Sequence, residues 1–456
     1  LGIEIALGPT EQMTILQLPG PDRRGTQILI GLGATLLVGA LWHVKPVYAA
    51  LLALLPLAIG MPLLPILLFI VFSFFRIHDI FPVLAPLRLP ELLAMMSLLT
   101  LGWHLTLGQS ARMFLTPGLI VFGVMFVTVT FTVPFSTDLG RTLQLYQEYL
   151  KIAVMTFAIA WLVRSPADFK LAARVFVLAG MAVAIKALAN QATGIGLVEG
   201  TRVTIGRELG SPLGDPNDLS LALLFPIAFA SAMVVSRAEP WFWRLVGAVA
   251  TVLGCVAILA TQSRGGLLGV VAVFGVLGRE FVRSKLVLVG GGGLALIVLA
   301  LAAGIGDRSS GGEGVGDASS QGRLHAWVAG FRMAVAHPVT GIGMNNFHQQ
   351  YFFYTPVWDG MPHVAHSTWF EMMGCCGFVA FALLVLLVAN TMGTALHAKS
   401  RLNAAGPEWH SVTRAIVAGL AGFLVSGTFL SQTFTWPLYI QLALVAALRR
   451  LASRHD

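Results

Sequence analysis

The sequence predicts an all-α polytopic membrane protein, and three observations predict it. The 456-residue chain is 56% hydrophobic and only 11% charged, against roughly 25% charged in soluble globular domains. Its apolar runs recur at lengths suited to crossing a bilayer, for which a helix needs about 20 residues. Its lysines and arginines gather in alternate loops, as orientation in a membrane requires. This balance leaves no room for a separate soluble domain. The net charge of +8 is read as orientation, so no nucleic-acid partner is expected.

Residues 1–25 mix Gly, Pro and Arg23-Arg24 without the basic-then-apolar order of a cleavable signal. They are expected to form a cytoplasmic N-terminal tail or surface helix. Apolar runs then fall near 26–42, 46–59, 62–75, 90–107, 113–133, 145–163, 169–192, 217–235, 241–261, 265–278, 285–304, 366–394, 411–430 and 435–448. The short pair 46–59 and 62–75, split by Gly60-Met61-Pro62, reads as a hairpin that does not fully cross. About 12 transmembrane helices (12–14) are therefore expected. The chain divides into transmembrane helices over 26–304, a long loop or lid over 305–365, C-terminal helices over 366–448 and a cytoplasmic tail over 449–456.

With the N-terminus inside, 17 of the 29 lysines and arginines fall on the inner side, 11 on the outer, and Lys186 within a span. The positive-inside rule is met, and Lys186 is close enough to a helix end to snorkel. Cys255, Cys375 and Cys376 lie in apolar segments and read as small packing residues; no CxxC or zinc spacing occurs.

The outer minority is more informative. Thr261-Gln262-Ser263-Arg264-Gly265-Gly266 interrupts two apolar runs with one arginine, a costly residue near lipid unless it snorkels or serves a polar site. The topology puts Arg264 on the same face as the long loop, which carries Arg323 and Arg332 and leads into His366. Arg141, Gln144, Glu148 and Lys151 share one helical face. They form either an interfacial stripe with its own charge balance or the wall of a polar cavity. In the segment 202–218, Asp215 suits an N-cap, Pro216 the first helical position and Asp218 the first turn, while Arg202 and Arg207 are candidate ligand contacts. Gly290–Gly293 reads as close helix packing, since no GK[ST] follows to make a phosphate loop.

Within the long loop, Gly306 to Gly322 is a low-complexity, flexible tract. Arg323-Leu324-His325-Ala326-Trp327 then opens an amphipathic helix to about His337, ended by Pro338 and Gly341-Ile342-Gly343. Aromatic-rich Phe347 to Trp358 suits a membrane interface. A mobile tract beside a short basic helix reads as a lid. His363, His366, Asp359 and Glu371 make a weak zinc constellation, because Glu371 sits about 140° round a helix from His366. No acidic pair offers a metal–diphosphate bridge, so arginines are expected to neutralise a diphosphate, with no metal and no cofactor.

On these residues the chain resembles a known family. Residues from about 200 to 390 are similar to the O-antigen ligase and polymerase superfamily of bacterial envelope glycosyltransferases. The matching segments are Ser263-Arg264-Gly265, Gly322-Arg323-Leu324 with Trp327, His337-Pro338-Val339-Thr340-Gly341-Ile342-Gly343, and His366-Ser367 followed by Gly377. The ligase pattern of His, then Asn, Ser or Gln, nine residues and Gly-x-x-Gly is met except that Ala380 replaces the last glycine. The resemblance implies a GT-C-like glycosyltransferase fold and a functional Arg264, Arg323 and His366. It also implies transfer of a glycan from undecaprenyl diphosphate to lipid A-core at the periplasmic face of the bacterial inner membrane, inverting and metal-independent. Within the same superfamily, an O-antigen polymerase or a protein O-oligosaccharyltransferase shares the donor chemistry. A lipid or sugar transporter is the reading from another class, but the sequence lacks the repeated halves such proteins often show.

Overall fold

The computed structural model describes residues 3–5, 54–108, 112–282, 284–302 and 315–454. Expectations for the tail 1–25 apart from residues 3–5, the run 26–42, most of 46–59 and the tract 306–314 lie outside the described residues. Strand β1 (Ile3–Ile5) pairs in parallel with β2 (Met113–Leu115). Helices α1 (Leu55–Gly60) and α2 (Leu63–Ser73) flank Met61-Pro62, where the sequence indicated a split. They lead to α3 (Leu89–Thr106), α4 (Pro117–Thr132), α5 (Leu139–Leu162) and α6 (Pro166–Thr193). A β-hairpin of β3 (Leu197–Val198) and β4 (Arg202–Val203) follows. The chain then runs through α7 (Pro216–Val235), α8 (Trp241–Thr261), α9 (Arg264–Gly278) and α10 (Lys285–Ala302). Beyond these come α11 (Val315–Ala336), α12 (Phe347–Tyr354), α13 (Thr368–Ala405), α14 (His410–Gly427) and α15 (Trp436–Ala452).

One local device recurs at helix starts. Thr116, Ser165 and Asp215 each cap a helix through the side chain, and Pro117, Pro166 or Pro216 follows at once. The cap oxygen satisfies a backbone N–H that has no partner within the helix, and proline supplies a pre-set φ where its missing N–H costs nothing. Ser165 completes a capping box with Asp168. In lipid, where an unsatisfied amide is expensive, such caps fix where each helix begins.

Among the described residues, six helices are long and apolar enough to cross a membrane: Pro117–Phe135, Pro166–Thr193, Pro216–Val235, Trp241–Thr261, Thr368–Ala405 and Pro407–Gly427. The chain is thus a predominantly helical protein of polytopic membrane type. In α7, 83% of the apolar window is buried inside the protein, against 28% in α8; α7 is the central post and α8 faces outward. Neighbours reach α7 through residues without side chains. A Cβ on Gly180 of α6 would fall 2.2 Å from Pro226, and one on Gly269 of α9 would fall 2.3 Å from Leu224. Small residues allow the backbone approach that packing in lipid depends on.

Alternating helices gather their ends at two faces. One face holds the turns near 136–138, 194–215, 262–263, 337–367 and 428–435, tied together by bonds such as Thr137 to Ile342, Arg202 to Thr261 and Thr368 to Gly427. The other holds Arg174 with Glu239, and Glu280 with Lys399 and Arg414.

Three expectations are corrected. A Cβ added to Gly292 would meet Val271 of α9 at 3.5 Å, whereas one on Gly290, Gly291 or Gly293 would meet no atom within 4 Å, so the expected close packing is limited to Gly292. The helix expected to open at Arg323 begins at Val315, which puts Arg323 inside it. The run 366–394 is a helix from Thr368 to Ala405, broken at Gly377 with φ 80° and ψ −179°.

That break is filled by the segment His337–Gly343. Phe378 N–H donates to Pro338 O at 2.8 Å, and Ile342 and Gly343 donate to Gly374 O and Cys375 O at 3.0 and 2.9 Å. Backbone groups freed by the kink are thereby satisfied inside protein, the condition for irregular backbone at membrane depth. Ala380, where the ligase pattern has glycine, is fully buried. Gly377→Ala would place a Cβ 2.6 Å from Pro338 O at a left-handed φ. It should cost on the order of 2–4 kcal/mol in strain and overpacking, read as a lower unfolding temperature of the purified protein. An unchanged temperature would show that this contact does not hold the break.

Candidate functional site

Arg264 is the first residue of α9. Gln262 before it adopts a left-handed conformation (φ 50°), which reverses the chain between α8 and α9, and Ser263 Oγ caps the new helix at Gly266 N–H. The turn is held from β4 and α7. Arg202 donates to Thr261 O and to Asn217 Oδ1, both at 3.0 Å, and Ser263 Oγ donates to the same Asn217 Oδ1 at 2.9 Å. Thr201 Oγ1 donates to Gln262 Oε1 at 3.1 Å. Arg264 therefore projects, exposed, from a turn fixed on several sides.

Arg323 comes from α11, which lies on the first turns of α13. Ala326 and Ala329 are fully buried, Trp327 stacks on Phe370 with ring centroids 5.4 Å apart, and Gly322 lies against the His363 ring. Half-buried Arg323 has its pKa lowered by desolvation and then by the charge of Arg264, with Asp215 acting in the opposite sense. The two guanidiniums thus lie within electrostatic reach of each other. Neither is engaged by a hydrogen bond or ion pair with a described residue.

His366 is held in a left-handed conformation (φ 45°), a strained state for a residue with a side chain. The strain is held by its neighbours: Thr368 Oγ1 donates to Gly427 O at 2.7 Å, Trp369 Nε1 donates to Thr428 Oγ1 at 3.0 Å, and Ser367 is fully buried. Burial, reinforced by the Arg323 charge, lowers the imidazole pKa to about 4. The ring is neutral at pH 7.

Two carboxylates come from the first turns of α7 and α13. Asp218 accepts from Gln432 Nε2 at 2.7 Å, and Glu371 accepts from Thr433 N–H at 3.1 Å. Asp218 feels the charges of both Asp215 and Glu371. Thr433 Oγ1 donates to Thr368 O at 2.8 Å, and Tyr439 OH donates to Thr433 O at 2.6 Å. The arrangement can hold an anion at the arginines, with the neutral imidazole of His366 beside Arg323.

Sequence reasoning singled out Arg264, Arg323 and His366, and the structure brings all three together. The other five cations have intramolecular partners. Arg202 and Arg207 brace the loop, Arg207 Nη1 donating to Gly214 O at 3.1 Å. Arg141 pairs with Asp138 at 3.4 Å and Lys151 with Glu148 at 2.8 Å. Arg332 donates to Tyr354 O at 3.3 Å. Asp215, Asp218, Glu371 and Gln432 were not nominated as site residues. Asp215 and Asp218 had a sufficient local explanation as the start of α7, which the structure bears out: Asp215 Oδ1 accepts from Asn217 N–H at 2.7 Å. Nothing local points to Gln432. Of the weak zinc constellation, His363 bonds Asp359 at 2.6 Å while Glu371 turns to Thr433.

No curated protein matches the chain. Residues 249–385 match the family described as O-antigen ligase. The match covers Arg264, Arg323, the segment His337–Gly343, His366 and Gly377, and so runs through the site built above. Over this segment, less than a third of the chain, the sequence is similar to the O-antigen ligase family.

Proposed function

We propose that the chain is an O-antigen ligase, transferring a glycan from undecaprenyl diphosphate to lipid A-core at the periplasmic face of the inner membrane. The single observation that carries this reading is the pair of guanidiniums, Arg264 and Arg323, without an ionic partner among the described residues and beside the neutral imidazole of His366. Two like charges held near each other in a partly desolvated place are unfavourable until an anion joins them. A diphosphate supplies that anion, and guanidinium forks match its oxygens. The face away from most of the basic residues is the outer one by the positive-inside rule.

In the reaction, the acceptor hydroxyl oxygen bonds to the anomeric carbon as the bond from that carbon to the phosphate oxygen breaks. Arg264 and Arg323 stabilise the charge that grows on the leaving diphosphate. The hydroxyl proton passes to a ring nitrogen of His366. Attack from the side opposite the diphosphate inverts the anomeric centre. Arg141, Lys151, Arg202, Arg207 and Arg332 act around this centre, Arg202 by holding the Arg264 turn. About twelve crossings and a GT-C-like arrangement belong to the same reading. A reconstituted assay with purified enzyme, lipid-linked donor and lipid A-core tests it. Transfer to lipid A-core supports the ligase; elongation of the donor alone would make the chain a polymerase, and transfer only to protein would make it an oligosaccharyltransferase.

Two expected results follow from the chemistry. Activity should survive EDTA, because the arginines neutralise the diphosphate; loss restored by Mg²⁺ or Mn²⁺ would overturn the arginine-only account. The second concerns pH. His366 in the free protein is held down to about 4, so the acid limb of kcat/KM should lie near that value. A bound diphosphate offsets the Arg323 charge and removes one cause of the lowering, so the acid limb of kcat should lie higher, toward the ordinary imidazole value of about 6.5. Coincident limbs in the two profiles would remove diphosphate from the neighbourhood of His366.

A further inference from the structure

A cavity of about 390 Å³ opens at the end of the bundle opposite the arginine pair. Helices α8 and α9 both pack on α7 but touch each other sparingly, so they diverge from the turn at Gln262 and leave a gap. Val234 of α7, Val252 of α8, and Phe274 of α9 with Phe281 just beyond it line the gap. Its two hydroxyls, Ser231 and Thr251, bond each other at 3.2 Å and leave the wall effectively apolar. The size is in the range of small-ligand pockets, roughly 300–1,000 Å³.

The rim is basic. Arg244 Nε donates to Val234 O at 3.1 Å, which fixes its exposed side chain at the mouth. Arg279 directly follows Gly278 of the wall, and Arg237 is exposed two residues beyond Val235. Among the described residues of this end, Glu239 pairs with Arg174 and Glu280 with Lys399 and Arg414, while Arg279 Nη1 donates to Val282 O at 3.4 Å. Trp241 and Phe242, exposed at the start of α8, suit the level of lipid headgroups. An apolar slot under a cationic rim at headgroup level complements a molecule with a hydrocarbon chain and an anionic head. The donor diphosphate has its own place at the other end of α7, about 28 Å away along the 20-residue helix.

We propose that this cavity holds an acyl chain of an anionic phospholipid, with its phosphate against Arg244 and Arg279, in the leaflet opposite the arginine pair. Native mass spectrometry of the full-length protein in detergent, titrated with phosphatidylglycerol or phosphatidylcholine, tests it. Phosphatidylglycerol should be retained on the order of tenfold more tightly than phosphatidylcholine. Arg244→Gln with Arg279→Gln should remove that preference. Val252→Trp should lose both lipids; Val252 is 61% exposed, so the larger ring is accommodated at the mouth without disturbing the bundle. Equal retention of the two lipids by the unaltered protein would overturn the proposal, as would unchanged retention by Val252→Trp. Displacement of phosphatidylglycerol by undecaprenyl phosphate would overturn it too, by giving the cavity to the donor's tail.

Discussion

Arg264→Lys and Arg323→Lys should each reduce glycan transfer by roughly 10²–10³-fold, the scale of losing one preorganised contact to a developing negative charge. Lysine keeps the charge but loses the planar fork, so a charge-conserving change isolates the geometry. The double variant should be much less than multiplicatively worse, because two groups on one diphosphate act as a unit. Initial rates in the reconstituted assay check this. Full activity in either lysine variant would reduce that arginine to general electrostatics. Topology is tested in the same residues: cysteine labelling should place position 323 on the outer side, and a cytoplasmic position would sink the proposed periplasmic site.

His366→Ala should abolish transfer while leaving folded protein in the membrane. Its ring is not part of the bonds that fix the start of α13; those belong to Thr368 and Trp369. Loss of a general base is worth roughly 10²–10⁴-fold, and near-normal turnover would remove His366 from the chemistry. His366→Gln separates two roles, since an amide can position an acceptor hydroxyl but cannot take its proton. Rescue by glutamine would make the histidine a positioning residue. The left-handed backbone is common to all these variants, so differences among them report on the ring.

What was legible in the sequence follows from how local each signal is. Apolar runs and basic loops are read within one segment, and the helices α6, α7, α8, α14 and α15 begin and end within a few residues of those runs. Arg264 stood out because a charge beside an apolar run has a visible cost, and Arg323 because the long loop on the same face carries it. Glu371 and Gln432 carry no such mark. Glu371 meets Thr433 across 62 positions and Asp218 meets Gln432 across 214, so only the fold makes them neighbours. Arg202 was legible as a cation near the site but not as a brace, since Asn217 and Thr261 come to it from two other helices. The early start of α11 was hidden by the glycines and serines of its first turns, whose weak helix propensity masks the helix.

The break at Gly377 has a mechanical consequence. A kinked helix usually bends where its backbone bonds are missing, yet here three bonds from the strip 338–343 splint the fracture. The short piece of α13 above the fracture, which begins two residues after His366, is therefore joined more firmly to the loop than an open hinge would allow. Any force applied to α12 or to the chain leading into α13 has a stiff load path to the imidazole. An acceptor that presses on the outer loop thus moves the base with it, and length changes in 344–361, like those in 338–343, should throw the ring out of line.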